Sequence, residues 1–151
     1  MTPLIEVKNL KKYFSTQKGD LHAVDGVSFG IAQGETLGVV GESGCGKSTL
    51  GRVTIHLLEA TSGSIFFEGR NISQLKRNEI NNYRKDMQMI FQDPFSSLDP
   101  RMSVANIIAE PLRIYKRCKN EADLSTQVAK LMDAVGLARR LADSYPHELD
   151  G

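Results

Sequence analysis

The stretch Gly41-Glu42-Ser43-Gly44-Cys45-Gly46-Lys47-Ser48-Thr49 determines how this sequence is interpreted. Its first eight residues fit the pattern G-x-x-x-x-G-K-[ST], in which glycines let successive backbone N–H groups face a phosphate without a Cβ clash. In this pattern Lys47 supplies a cation for the outer phosphates, Ser48 a hydroxyl ligand for Mg²⁺, and Thr49 a second hydroxyl near the α-phosphate. The motif therefore predicts a nucleotide site that uses all nine residues.

The segments on either side of this loop favour the same interpretation. Residues 36–40 are short, apolar and without inward and outward alternation, which predicts a strand buried on both faces of a parallel sheet. From Lys47 the spacing of Leu50, Val53, Leu57 and Leu58 predicts an amphipathic helix. A strand before the motif and a helix after it distinguish a phosphate-binding loop from a glycine-rich turn with an exposed lysine.

The rest of the chain is predicted to begin rich in strands and to end rich in helices. Strands are expected over 4–10, 27–31, 64–67 and 89–91, a turn over 17–20, a polar helix over about 75–86 and a loop over 93–100. In the last third, Ser103 is expected to cap a helix that Pro111 kinks or ends. Asn120 and Asp123 predict a second N-terminal cap, and Gly136 a C-terminal one.

Composition narrows the class of protein. The 151 residues are 40% hydrophobic and 25% charged, which is typical of one globular domain. The net charge of +1 argues against a nucleic-acid partner, so the basic run Arg113, Lys116, Arg117 and Lys119 is interpreted as a solvated face.

No leader or membrane span is visible, and His22 and His56 have no evident partner. Cys45 is interpreted either as a redox-sensitive thiol or as a small residue that the tight turn tolerates.

Four segments carry a resemblance to a known family. They are 41–52, then Met89-Ile90-Phe91-Gln92-Asp93-Pro94-Phe95-Ser96-Ser97-Leu98-Asp99-Pro100-Arg101, then 107–112 and 145–149. Together they resemble the ATP-binding subunits of ABC transporters, in particular those of oligopeptide and dipeptide importers. The corresponding subunits of nickel importers look much the same. The resemblance implies an α/β P-loop NTPase fold. Its N-terminal half has an antiparallel β subdomain, a P-loop β-α core and the start of a helical subdomain.

The resemblance also implies roles for particular residues. Gln92 matches the family's Q-loop glutamine, which reaches Mg²⁺ or the attacking water, so Ser48 and Gln92 are the expected metal ligands and Gln92 the expected catalytic residue. Tyr13 lies where the family has an aromatic ring that stacks on the adenine of ATP, and Phe14 is the competing candidate. The implied partners are membrane-spanning importer subunits and a second ATP-binding subunit. The implied location is cytoplasmic, peripheral at the inner face of the cell membrane.

The pattern departs from the family at Leu149-Asp150-Gly151, where the family has Leu-Ser-Gly-Gly-Gln. The sequence is therefore expected to be a truncated nucleotide-binding domain, with a β-rich P-loop core over about 1–92 and a helical subdomain over about 93–151. Because the family's Walker B aspartate and catalytic glutamate have no counterpart here, nucleotide binding without hydrolysis is expected. The alternatives are a fragment that binds only partners or has no function, and another P-loop enzyme such as a kinase or GTPase. The segment 89–101 argues against that last alternative, and the cargo is not encoded here.

Overall fold

The computed structural model describes residues 2–93 and 97–149. The chain divides into two units, one ending at Met89 and the other beginning at Ile90. Asp150 and the middle of the quoted segment, residues 94–96, lie outside the described residues, so the expectations for them stay predictions.

A long hairpin forms most of the sheet of the first unit. Strands β1 (Ile5–Thr16) and β2 (Gly19–Ile31) pair antiparallel around a turn at residues 17–18, which lies within the predicted turn over 17–20. Both strands are longer than the predicted 4–10 and 27–31, because each pairs with the other as far as the turn. Strand β3 (Ser62–Phe67) pairs with the other edge of β1, and the short β4 (Arg70–Asn71) pairs with β3. The order β2-β1-β3-β4 is therefore antiparallel throughout.

Two short helices complete this unit, α1 (Lys47–Thr54) and α2 (Arg77–Arg84). Their apolar residues pack with the sheet in a single hydrophobic cluster. Its buried members are Val7, Leu10, Val53, Ile65, Phe67, Ile72, Ile80 and Met87. Val53 is fully buried within α1, so the helix that follows the glycine-rich loop is anchored to the same core as the hairpin.

The second unit is a helical pair, α3 (Val104–Ile114) and α4 (Glu121–Ala134), followed by 3-10 turns at Arg139–Leu141 and Pro146–Glu148. Its core is formed by Val104, Ala109, Leu124, Val128 and Met132. None of the helices in the described part of the chain is long and apolar enough to cross a bilayer.

The helix-end predictions in this unit are confirmed in part. Ser103 is the N-cap residue of α3, but its side chain makes no capping hydrogen bond there. The Asn120 side chain accepts a 2.8 Å hydrogen bond from the Asp123 N–H, which caps α4. Gly136 takes φ 71° just beyond α4, and the Leu137 N–H donates to the Met132 carbonyl, which closes the helix in a Schellman arrangement. Pro111 does not end α3, which continues to Ile114.

Two predicted strands are absent. Residues 36–40 belong to no strand of the described residues, and Leu37, Val39 and Val40 are 40%, 51% and 95% exposed. Residues 89–91 are likewise not a strand, and Ile90 is 95% exposed. Both predictions fail for one physical reason. A strand exists only when it is paired, and the described sheet offers these segments no parallel neighbour.

The helix after the loop is also shorter than predicted. It ends at Thr54, before Leu57 and Leu58, because His56 adopts a left-handed backbone with φ 58° that no α-helix can continue through. Leu57 is consequently 45% exposed.

Candidate functional site

The glycine-rich loop enters α1 through a left-handed residue. Gly46 is the N-cap of α1 with φ 96°, and Gly44 has φ 81°. Both values lie in the region that L-residues rarely adopt, which explains the glycines at these two positions. Between them Cys45 is exposed and donates its N–H to the Glu42 carbonyl at 3.3 Å. The loop therefore turns back on itself and presents its backbone at the start of the helix.

The loop also lies directly against the hairpin. A Cβ on Gly46 would stand 2.0 Å from the carbonyl oxygen of Ala23 in β2, and a Cβ on Gly41 would stand 2.8 Å from the Cys45 Sγ. A side chain at position 46 would overlap the backbone of β2, so close approach requires glycine there. A side chain at position 41 would meet only the end of the exposed Cys45 side chain, which can rotate away.

Lys47 is held across the loop. Its Nζ donates to the carbonyls of Gly41 at 2.8 Å and Glu42 at 2.6 Å, and lies 3.6 Å from the Cys45 Sγ. These acceptors are neutral, so a phosphate oxygen would offer the ammonium a stronger, charge-assisted bond. The cation is already positioned at the loop that would hold the phosphates.

The electrostatics of α1 suit an anion. No acidic residue lies in its first turn, so nothing there cancels the positive end of the helix dipole.

Ser48 is exposed and Thr49 half-buried in the same turn. The Ser48 hydroxyl fits a site for Mg²⁺, an ion that takes few protein ligands and keeps waters and phosphate oxygens. Ser43 is exposed in the loop, and Gln92 is exposed in the second unit.

Tyr13 is engaged in a polar cluster on the hairpin. Its hydroxyl donates to Asp25 Oδ1 at 2.6 Å, and the His22 ring stacks on it with centroids 3.8 Å apart and planes 9° apart. Lys11 Nζ lies 3.3 Å from the same carboxylate. Sequence reasoning missed this cluster because its members meet only through the hairpin register, in which Tyr13 pairs with His22. The two-residue turn was the signal that could have fixed that register.

Phe14 is freer. It pairs with Leu21 of β2, and the two are 36% and 59% exposed. Leu21 is two residues from Ala23, which the loop contacts at Gly46. Two residues of a strand span about 7 Å, so Leu21 lies about that far along β2 from Ala23. His22, which pairs with Tyr13, lines a cavity together with Gly46 and Lys47 of the loop. The Lys12 Nζ lies 4.9 Å from the Phe14 ring centroid, which makes a surface cation–π contact.

The pKa of Asp25 lies below its ordinary value. The largest cause is the hydrogen bond from the Tyr13 hydroxyl, and the Lys11 ammonium lowers this pKa further. The bond with Asp25 likewise raises the pKa of Tyr13. Because the folded pKa of Asp25 is depressed, its stabilising contribution is present above the unfolded pKa and is lost as pH falls through the folded one. Tyr13→Phe should therefore raise the pKa of Asp25, measured by carboxyl NMR titration, and move acid unfolding to higher pH. Tyr115→Phe, in the second unit, is the control and should leave both unchanged.

Comparisons with known proteins show which family this sequence resembles. The sequence profile of the ABC transporter family matches residues 24–151. An oligopeptide transport ATP-binding protein of Bacillus subtilis is 51% identical over 149 residues, which are 98% of this chain and 49% of that protein. A glutathione import ATP-binding protein of Pectobacterium atrosepticum is 44% identical, over 99% of this chain and 25% of that protein. The chain spans about half the length of the oligopeptide relatives, or less.

Solved structures show the same fold. A dimeric ATP-binding cassette in a post-hydrolysis state with ADP and Pi superposes with a TM-score of 0.85 at 24% identity. A second dimeric structure, of a bacterial ABC transporter cassette, gives 0.84 at 25% identity. In both cases the match covers 97% of this chain and 63% of the other. Over a third of the solved cassette fold thus lies outside the matched part.

Proposed function

The chain belongs to the ABC transporter family, and from that premise we propose that it binds ATP with Mg²⁺ as part of the ATP-binding subunit of an oligopeptide importer. The cradle formed by Gly46, Lys47 and the start of α1 is the observation that carries the proposal. In the whole subunit, binding and hydrolysis of ATP would drive transport. For the 151 residues in hand, the function proposed is nucleotide binding alone.

The proposed contacts follow the loop. The backbone of residues 41–46 and the start of α1 hold the phosphates, Lys47 binds the outer ones, and Thr49 lies near the α-phosphate. Ser48 would hold Mg²⁺, which would neutralise charge on the phosphates. For Gln92 the role of a metal ligand is proposed from its sequence motif alone. Gln92 is proposed to orient water without adding charge, since its amide is neutral.

The proposed partners are membrane-spanning importer subunits and a second ATP-binding subunit, at the inner face of the cell membrane. The similar proteins are ATP-binding proteins of oligopeptide transport and glutathione import, which supports a peptide cargo over nickel. The cargo itself would be chosen by other subunits.

Phe14 is the better candidate than Tyr13 for stacking on adenine. Freeing the Tyr13 ring means breaking a hydroxyl–carboxylate bond and a ring stack. The Phe14 ring makes a surface contact with the Lys12 ammonium, and such an exposed cation–π contact is worth ~0.5–1 kcal/mol. Base–aromatic stacking contributes ~1–3 kcal/mol, which is enough for Phe14 to exchange one partner for the other.

Titration calorimetry of the chain with Mg-ATP tests both proposals. Binding of ATP supports the function, and its absence in a folded chain contradicts it. Phe14→Ala should weaken the affinity for ATP by about 5- to 150-fold, the range that corresponds to the stacking energy. Tripolyphosphate, which has no base, should bind the variant and the parent equally. If Tyr13→Ala and not Phe14→Ala produced the selective loss, Tyr13 would be the stacking ring.

A further inference from the structure

The basic run 113–119 is a local concentration of positive charge. Residues 111–120 contain four Lys and Arg and no Asp or Glu. The rest of the second unit has four Lys and Arg against nine Asp and Glu. The net charge of +1 for the whole chain therefore conceals a positive patch, which lies at the C-terminal end of α3.

Most of this charge is not neutralised by an ion pair. The Arg113 guanidinium lies 3.4 Å from the Glu121 carboxylate and is therefore paired. Lys116, Arg117 and Lys119 are exposed and take part in none of the salt bridges of the described residues. The Lys119 N–H donates to the Asp123 carboxylate at 2.9 Å, so a negative charge lies close to that residue. Lys116 and Arg117 are thus the cations most available to an external anion.

An exposed apolar side chain borders these cations. Ile114, the last residue of α3, is 65% exposed, and the half-buried Tyr115 follows it as the C-cap residue. Lys116 and Arg117 come directly after. An apolar side chain next to cations suits the boundary of a lipid bilayer, where the apolar group enters the headgroup region and the cations meet anionic headgroups.

Lys116 has a backbone conformation that glycine adopts more easily. The end of α3 is a Schellman arrangement, in which the Arg117 N–H donates to the Leu112 carbonyl at 2.9 Å and the Lys116 N–H to the Arg113 carbonyl at 3.1 Å. Lys116 has φ 50°, whereas the same position after α4 is Gly136 with φ 71°. A cation there favours the helix dipole, but Arg113 already supplies one in the last turn. A strained lysine beside a second cation indicates a use for its charge outside the helix.

We propose that Ile114, Lys116 and Arg117 form a patch that binds the anionic headgroups of a lipid bilayer. Ile114 would enter the headgroup region, and the two cations would contact the anionic lipids. Each Lys or Arg held near such a surface strengthens binding about fivefold. An acidic polypeptide fits less well, because it offers Ile114 no apolar phase. The cavity between α3 and α4, of about 170 Å³, is lined in part by the carboxylate of Glu121, which would repel such a polypeptide.

Vesicle flotation tests the proposal. The 151-residue chain, without nucleotide, is mixed with vesicles of phosphatidylcholine and phosphatidylserine at about 2:1, or with vesicles of phosphatidylcholine alone. At low salt we expect binding to the anionic vesicles to be at least about tenfold stronger. The difference should disappear at about 1 M salt, where the Debye length is ~3 Å. The neutral vesicles measure any binding through other apolar segments.

Two double variants that remove equal charge locate the contact. Lys116→Gly with Arg117→Gln should weaken binding to the anionic vesicles about 10- to 25-fold. Lys130→Gln with Arg140→Gln removes the same charge from two exposed positions of the same unit and should change binding less than about twofold. Ile114→Ser should weaken binding without any change in charge.

Lys116→Gly alone separates binding from stability. Glycine adopts φ 50° without strain, so the variant should unfold in denaturant at the same or a higher midpoint than the parent. Its binding to anionic vesicles should nevertheless fall about fivefold. A lysine with only a structural role would change the unfolding midpoint and leave vesicle binding as it was.

Three results would overturn the proposal: equal binding to anionic and neutral vesicles, equal losses in the two double variants, or no loss with Ile114→Ser. Binding to soluble polyglutamate that is as tight as binding to vesicles and does not depend on Ile114 would identify an acidic polypeptide as the occupant instead. A failure of ATP binding would contradict only the nucleotide proposal, since the vesicles are tested without nucleotide.

Discussion

Replacing Lys47 by alanine is expected to weaken Mg-ATP binding at least tenfold. The ammonium now rests on two neutral carbonyls, those of Gly41 and Glu42. Binding would exchange them for phosphate oxygens, and a charge-assisted bond contributes ~1.5–3 kcal/mol. At about 1.4 kcal/mol per decade this corresponds to a loss of roughly 10- to 150-fold. Titration calorimetry with Mg-ATP gives the number directly.

The controls separate charge from loop structure. Lys47→Met keeps much of the aliphatic stem but not the charge, so it should lose as much affinity as Lys47→Ala if the charge is what matters. Lys18→Ala removes an exposed lysine from the hairpin turn and should bind ATP like the parent. Equal affinity for parent and Lys47→Ala, with both proteins folded, would show that the ammonium is not directed at phosphate.

The parts of the fold that the sequence predicted are those controlled by local interactions. The hairpin turn at 17–18, the start of α1 at Lys47 and the cap of α4 at Asn120 each depend on residues within a few positions. The turn of the glycine-rich loop belongs with them, because glycine adopts the left-handed backbone found at Gly46 without steric cost. Such features survive in the structure because no distant segment has to supply their partners.

The predictions that failed depend on distant partners. Residues 36–40 have the composition of a buried strand, but strands are stabilised by neighbours, and the described sheet supplies none at that place. The cluster of Tyr13, His22 and Asp25 was missed for the converse reason, since cross-strand register brings together residues that spacing alone does not relate. The composition of 36–40 is that of a buried strand, although Val39 and Val40 are exposed among the described residues.

Gly46→Ala is expected to be the most damaging single substitution in the loop. The added Cβ would stand 2.0 Å from the Ala23 carbonyl oxygen, a backbone atom of β2 that cannot rotate away. Alanine would also have to hold φ 96°, which costs an L-residue ~1–3 kcal/mol by itself. The loop must therefore move off the hairpin or the strand must shift, and we expect a total destabilisation of at least ~3 kcal/mol.

A comparison with Gly34 separates the cost of the steric clash at Gly46 from the cost of the left-handed backbone. Gly34 has φ 79°, but no atom lies within 4 Å of the place that a Cβ would take, so Gly34→Ala should incur only the backbone cost. Denaturant unfolding of both variants gives the difference, which measures the contact between the loop and β2. If Gly46→Ala were no less stable than Gly34→Ala, the loop would not lie against Ala23. If it were destabilised but bound ATP as the parent does, the cradle would tolerate displacement from β2, and the close approach would serve stability rather than the ligand.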